Sequence, residues 1–193
     1  MARVMIRSAS RFALVLAGLA LLVPGAAWAQ RRAVRADDCV GATLLPTPLT
    51  LDVARKATLC LVNVERTTRG LRPLRDNSRI AKAAVSHSRD MVARSYFDHV
   101  TPAGADPVSR LARVHYITNN LFSWSIGEDL GWGSGSEATP QAIVKAWMDS
   151  PPHRANILRA SFRDAGVGVA YGAPEHVLLP GATYTIDFGR RSG

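Results

Sequence analysis

The chain has 193 residues, 47% of them hydrophobic and 20% charged, with 24 Lys and Arg against 15 Asp and Glu for a formal net charge of +9. That length suits one domain with a substantial core. The cations are scattered, with no basic run and no aromatic–basic interleaving, so nucleic acid is not an expected partner; a solvated surface that tolerates anionic lipid or cell-wall polymer is.

Residues 1–29 read as an export leader. Arg3, Arg7 and Arg11 form a basic start, "FALVLAGLALLV" an apolar centre, and Ala27 to Ala29 ("AWA") a small-x-small cleavage site. The apolar run is short for a bilayer span, no cysteine follows it to accept a lipid, and Arg31–Arg32 lies beyond the cleavage site. The expectation is an exported protein, extracellular or periplasmic, with no transmembrane segment in the mature chain. Cleavage removes three arginines and no acids, so the net charge falls from +9 to +6.

Residues 30–49 are charged, then Pro-rich, and read as an N-terminal arm tethered to a folded domain of residues 50–193. Cys39 and Cys60 are the two cysteines. In an oxidising compartment an even pair this close suggests one disulfide, with the alternative of two buried thiols. Closing that loop is worth about 3 kcal/mol in the chain-entropy view and would pin the "LLPTPL" segment onto the first helix.

From Thr50 the spacing of Leu51, Ala54, Ala57, Leu61 and Val64 predicts a helix ending near Gly70 as a C′ glycine. "LRPLRDNS" reads as a turn. Asp76 or Asn77 is placed to cap a second helix with Ile80, Ala83, Ala84, His87 and Met91 on one face. Asp106-Pro107 opens a short helix through Val108, Leu111 and Ala112, and Thr139-Pro140 opens "QAIVKAWM". "FSWSIGEDLGWGSG" begins extended and dissolves into a glycine-rich loop, while "AGVGVAYG" and "TYTIDFG" alternate as half-buried strands do. Helices early and strands late argue for α+β with an antiparallel sheet covered by helices.

No G-x-S-x-G elbow, H-E-x-x-H, P-loop, C-x-x-C or G-x-G-x-x-G occurs, which removes the common local signatures of nucleophile, metal and phosphate chemistry. Four polar residues stand at element ends, where they can converge on one cleft: His99 after "SYFD", Glu128 after Gly127, Ser150 at the end of "AWMDS", and His153 behind Pro151-Pro152. Two neutral imidazoles and a carboxylate are a chemically sensible Zn²⁺ set. Without metal, the carboxylate would orient an imidazole as a base. The bland alternative has each histidine bonded to a backbone carbonyl and Glu128 paired with an arginine. His87 and Ser88 are adjacent on a helix and point apart, so they form no nucleophile–base pair.

In order along the chain, "LVNVERTTRGLRPL", "AAVSHSRDMVARSYFDHVTPAG", "IGEDL", "AWMDSPPHRANIL", "AGVGVAY" and "YTIDFG" closely resemble the bacterial secreted members of the CAP superfamily, the cysteine-rich secretory, antigen 5 and pathogenesis-related-1 proteins, whose module is also called the SCP domain. The resemblance covers about residues 55–189. It implies an α-β-α sandwich with a central antiparallel sheet and a cleft lined by a His-Glu-Glu-His tetrad that binds Zn²⁺ in some members. By motif, the tetrad falls on His99, Glu128 and His153, with Ser150 standing where the second Glu is expected. The resemblance thus implies a reduced triad as a candidate Zn²⁺ site and a cleft for a lipid, glycan or peptide. It gives Asn156 and Arg154 structural roles, one bonding loop backbone and the other pairing with an acid. Trp147 is expected in the core, and His115 and His176 at the surface. The function this favours is a non-enzymatic extracellular binding module. A metal- or His/Glu-assisted hydrolase and a structural envelope or adhesion domain are the alternatives.

Overall fold

The computed structural model describes residues 35–192, so the leader at 1–29 lies outside the described residues. Among the described residues, five α-helices and four strands follow one another as α1 (Leu51–Thr67), β1 (Arg75–Asp76), α2 (Ser78–Arg94), α3 (Pro107–Arg113), β2 (Ser123–Ser134), α4 (Pro140–Asp149), α5 (Pro151–Ile157), β3 (Asp164–Tyr171) and β4 (Gly181–Ser192). The sheet order is β1-β3-β4-β2. β4 runs antiparallel to both β2 and β3, and the two residues of β1 add a parallel edge. The class is α+β as expected, but the sheet is mixed: "LRPLRDNS" contains a short strand as well as a turn.

Period-2 alternation divides the sheet into two unlike faces. On one, Val167, Val169, Tyr184, Ile186 and Phe188 form the main core with α1, α4 and α5, and Trp147 of α4 donates its indole N–H to the Leu130 carbonyl at 2.8 Å. On the other lie Gly166, Gly168, Thr185, Asp187 and Glu128, covered by α2. A Cβ on Gly166 would come within 2.1 Å of the Ala81 nitrogen, and one on Gly168 within 2.2 Å of the Ala84 carbonyl carbon. Only glycine lets α2 lie backbone against backbone on β3. Ser88 closes that contact by bonding Thr185.

The caps explain the element ends. Asn77, not Asp76, accepts from the Arg79 and Ile80 amides, while Asp76 pairs with Arg55. Asp106 and Thr139 cap the helices whose N1 is proline. α1 stops at Thr67, and Gly70 (φ 73°) falls in the turn beyond it rather than immediately after the helix. Two further expectations change. "GWGSGSE" is not a free loop: β2 continues to Ser134, and the missing side chain of Gly131 makes room for Trp147. The stretch after Ser150 is helical, with Pro151 and Pro152 in the first turn of α5.

Cys39 and Cys60 form a disulfide, with S–S 2.04 Å and Cα–Cα 5.6 Å. It holds the segment before α1 against the molecule. Cys39 is buried in the main core, Ala42 and Leu45 pack against that core, and the Gln141 amide donates to the Ala42 carbonyl. The part of the expected arm from Cys39 onward is therefore a packed strap.

Candidate functional site

The loop after α2 carries His99, and three interactions fix it. Ser95 ends the helix in a left-handed turn (φ 53°). His87, buried on α2, places its Nε2 3.0 Å from the Asp98 carbonyl oxygen. Arg110 of α3 donates through Nη1 to the carbonyls of His99 (2.8 Å) and Ala105 (2.9 Å). His99 is thereby aimed at β2, where its Nδ1 lies 2.7 Å from Glu128 Oε1.

Glu128 is a buried carboxylate with both oxygens engaged. Oε1 meets His99, Oε2 takes a short charge-assisted bond from Arg110 Nη2, and the side chain is 2% exposed. Burial alone would raise its carboxyl. The hydrogen bond from His99 and the Arg110 charge outweigh that and hold it below the ordinary glutamate value. The bond to Glu128 in turn raises the His99 imidazole.

His153 occupies the other side. It is the third residue of α5, and its Nδ1 lies 2.8 Å from the hydroxyl of Ser150, the residue that precedes the helix. Burial, and then the nearby His99 charge, lower its pKa. The two rings therefore sit near one another and are pushed in opposite directions, His99 toward the cation and His153 toward the neutral base.

Further acids surround this pair. Asp187 is paired across strands with Glu128, and neither of its oxygens has a hydrogen-bond partner. Burial, then the Glu128 charge, raise it well above the usual carboxylate value. Asp129 faces the opposite side of the sheet. Asn156 donates to it at 2.8 Å, and burial pushes its pKa up to about 7.

His99 thus sits on Glu128 and His153 on Ser150, with the two rings near enough for the charge of one to act on the other, but the four are not one ligand set. Among the described residues no group of three or more His, Cys, Asp and Glu side chains is placed to hold a metal ion. A Zn²⁺ shared by His99, Glu128 and His153 does not fit, because Glu128 already serves Arg110 and His99 below the surface. Among the described residues Arg154 pairs with no acid; it donates to the Met148 carbonyl at the end of α4. Asn156 bonds the Glu128 carbonyl of β2 as well as Asp129, not loop backbone. His115 and His176 are exposed and Trp147 is core. The sequence reading missed Arg110, Asp187 and Asp129. Only Arg110 had a signal, in the expectation that a lone Glu128 would pair with some arginine.

A glycine- and acid-lined sheet face under one helix and an apolar face under three define an SCP-type α+β module. The chain belongs to the cysteine-rich secretory protein family, whose profile matches residues 59–185. It is 34% identical to the uncharacterized protein YkwD of Bacillus subtilis over 128 residues, covering 65% of this chain and 46% of that one. It is 30% identical to the uncharacterized membrane protein YlbC of the same organism over 116 residues, 60% of this chain and 31% of that one. The chain therefore spans less than half the length of these two relatives. Among solved structures it is similar to an extracellular SCP-domain protein from Bacillus anthracis (TM-score 0.58, 26% identity, 75% of this chain and 44% of that one). An outer surface protein of Borrelia burgdorferi shares the fold (TM-score 0.54, 18% identity, 71% and 92%).

Proposed function

We propose that the protein is an exported binding module whose His99–Glu128–His153 cleft holds a lipid, glycan or peptide of the cell exterior without turning it over. The observation that carries this reading is the state of Glu128. A buried carboxylate bonded to both Arg110 and His99 is a fixed orienting charge, not a free base or a metal ligand. Exposed apolar side chains lie nearby in sequence: Phe97 and Val100 on either side of His99, and Trp124 at the start of β2. Export is supported by the leader-like start of the chain and by the extracellular SCP-domain protein it resembles. No helix among the described residues is long and apolar enough to cross a membrane.

A hydrolase is the second reading, favoured by one contact, the 2.8 Å approach of Ser150 Oγ to His153 Nδ1. A hydroxyl beside a ring pushed toward its neutral form is half of a nucleophile–base arrangement. The other half is weak. No carboxylate contacts His153 among the described residues, and Pro151 and Pro152 remove the two amides that the start of α5 would otherwise turn toward an oxyanion.

The test is mass spectrometry of material extracted from protein purified from its native cell exterior, beside the His99→Ala/His153→Ala variant. A molecule that co-purifies with the parent and is lost in the variant is expected. Absence of any such molecule, or labelling of Ser150 by a fluorophosphonate together with casein or peptidoglycan turnover lost in the variant, would overturn binding in favour of hydrolysis or a purely structural role.

A further inference from the structure

A cavity of about 510 Å³ opens between α2 and the segment running from Thr101 into α3. Neither His99, Glu128, Ser150 nor His153 lines it. Its size falls within the range of small-molecule sites. Its charge is one-sided: Arg89, Arg94, Arg110 and Arg113 face one acid, Asp90. Arg94 pairs with Asp90 at 3.6 Å and Arg110 with Glu128. Arg89 and Arg113 are exposed and make no salt bridge among the described residues. Arg110 is the informative member. Its side chain is 6% exposed, and its Nε is a buried donor without a partner. Ala83, Ala105 and Val114 supply apolar wall between the arginines.

We propose that this cavity is a binding site for a small amphipathic organic anion, a carboxylate on a short apolar stem. Its carboxylate meets the exposed guanidinium groups of Arg89 and Arg113, while the stem lies against the alanine wall. This site is separate from the histidine cleft but joined to it through Arg110, whose other nitrogens hold Glu128 and the His99 carbonyl.

The experiment is an NMR titration of the purified protein with sodium hexanoate, hexylammonium chloride and inorganic phosphate. It is repeated on Arg89→Glu/Arg113→Glu, whose changes are at the surface, and on His153→Ala. Hexanoate is expected to saturate with shifts at Ala83 and Ala105, to weaken about ten-fold or more in the double variant as charge-assisted contacts are lost, and to bind His153→Ala as it binds the parent. The proposal is overturned if hexanoate does not saturate, if hexylammonium or phosphate binds as tightly, if the double variant titrates like the parent, or if His153→Ala abolishes binding.

Discussion

The two histidines of the cleft are close together and differently built. His99 reaches the cleft on a loop held by two buried side chains, His87 and Arg110, and its Nδ1 ends on a buried carboxylate. His153 reaches it from the first turn of a seven-residue helix and ends on a half-buried hydroxyl. One half rests on a charge network continuous with the core, the other on a local turn. The cleft therefore has a fixed side and an adjustable one. Ser150, standing where the resemblance places a second Glu, is what leaves His153 adjustable.

The fixed side fails most completely at Glu128. Glu128→Ala strands Arg110 as a buried charge and should cost about 3–5 kcal/mol in urea unfolding, with the His99 ring becoming mobile by NMR. A loss below about 1 kcal/mol would mean that the fixed side is not held by this network. Asp129→Asn tests the acids beneath. A carboxyl raised from 3.8 to about 7 favours the fold while protonated and loses that contribution as pH climbs from about 4 to 7. The substitution should therefore stabilise the protein by about 2 kcal/mol at pH 8 and leave it unchanged at pH 4. The full shift corresponds to about 4 kcal/mol, but the new amide N–H replaces an oxygen that has no partner.

Titration of the rings themselves gives a finer measure of the two sides. His99, raised by Glu128, contributes stability below about pH 6.5 that is lost as pH rises through its folded value. His153, lowered by burial and by His99, contributes above about pH 6.5 and loses it as pH falls through its folded value. NMR of the ring protons should show His99 titrating above His153, and the reverse order would dismantle the assignment of fixed and adjustable sides. Ser150→Glu should raise the His153 pKa by giving it the kind of partner His99 has. Ser150→Ala is the smallest change, about 0.5 kcal/mol or less for one half-exposed hydrogen bond.

Much of the fold was readable because its signals are local. Asn77, Asp106 and Thr139 cap as their residue types require, and the helical face through Ile80, Ala83, Ala84, His87 and Met91 is buried throughout. Where reading failed, distant contacts overrode local chemistry. The glycines of β2 look like a loop until Trp147 is packed over Gly131. Two prolines look like a stop until it is seen that they also begin a helix. The identity of the four cleft residues was legible from their positions at element ends and from family likeness. Their division of labour was not, because the partner that turns Glu128 from ligand into orienter, Arg110, sits 18 residues away on another element. Asp187 is invisible for the same reason: in "TYTIDFG" it has the alternation of an ordinary strand residue, and only the register sets it opposite Glu128, where burial and that charge raise its pKa.

The side-chain-free contact of Gly166 and Gly168 with α2 sets a mechanical reference for the whole cleft. α2 is a 17-residue rod, and the loop that presents His99 springs from its far end. The two glycines are its seat on the sheet. Shimming that seat with a single methyl group at Gly168 would lift the rod and swing His99 relative to β2, while α5 and His153, anchored on the opposite face, stayed where they are. The gap between the two imidazoles is thus set from outside the cleft, by a spacer one carbon atom thick.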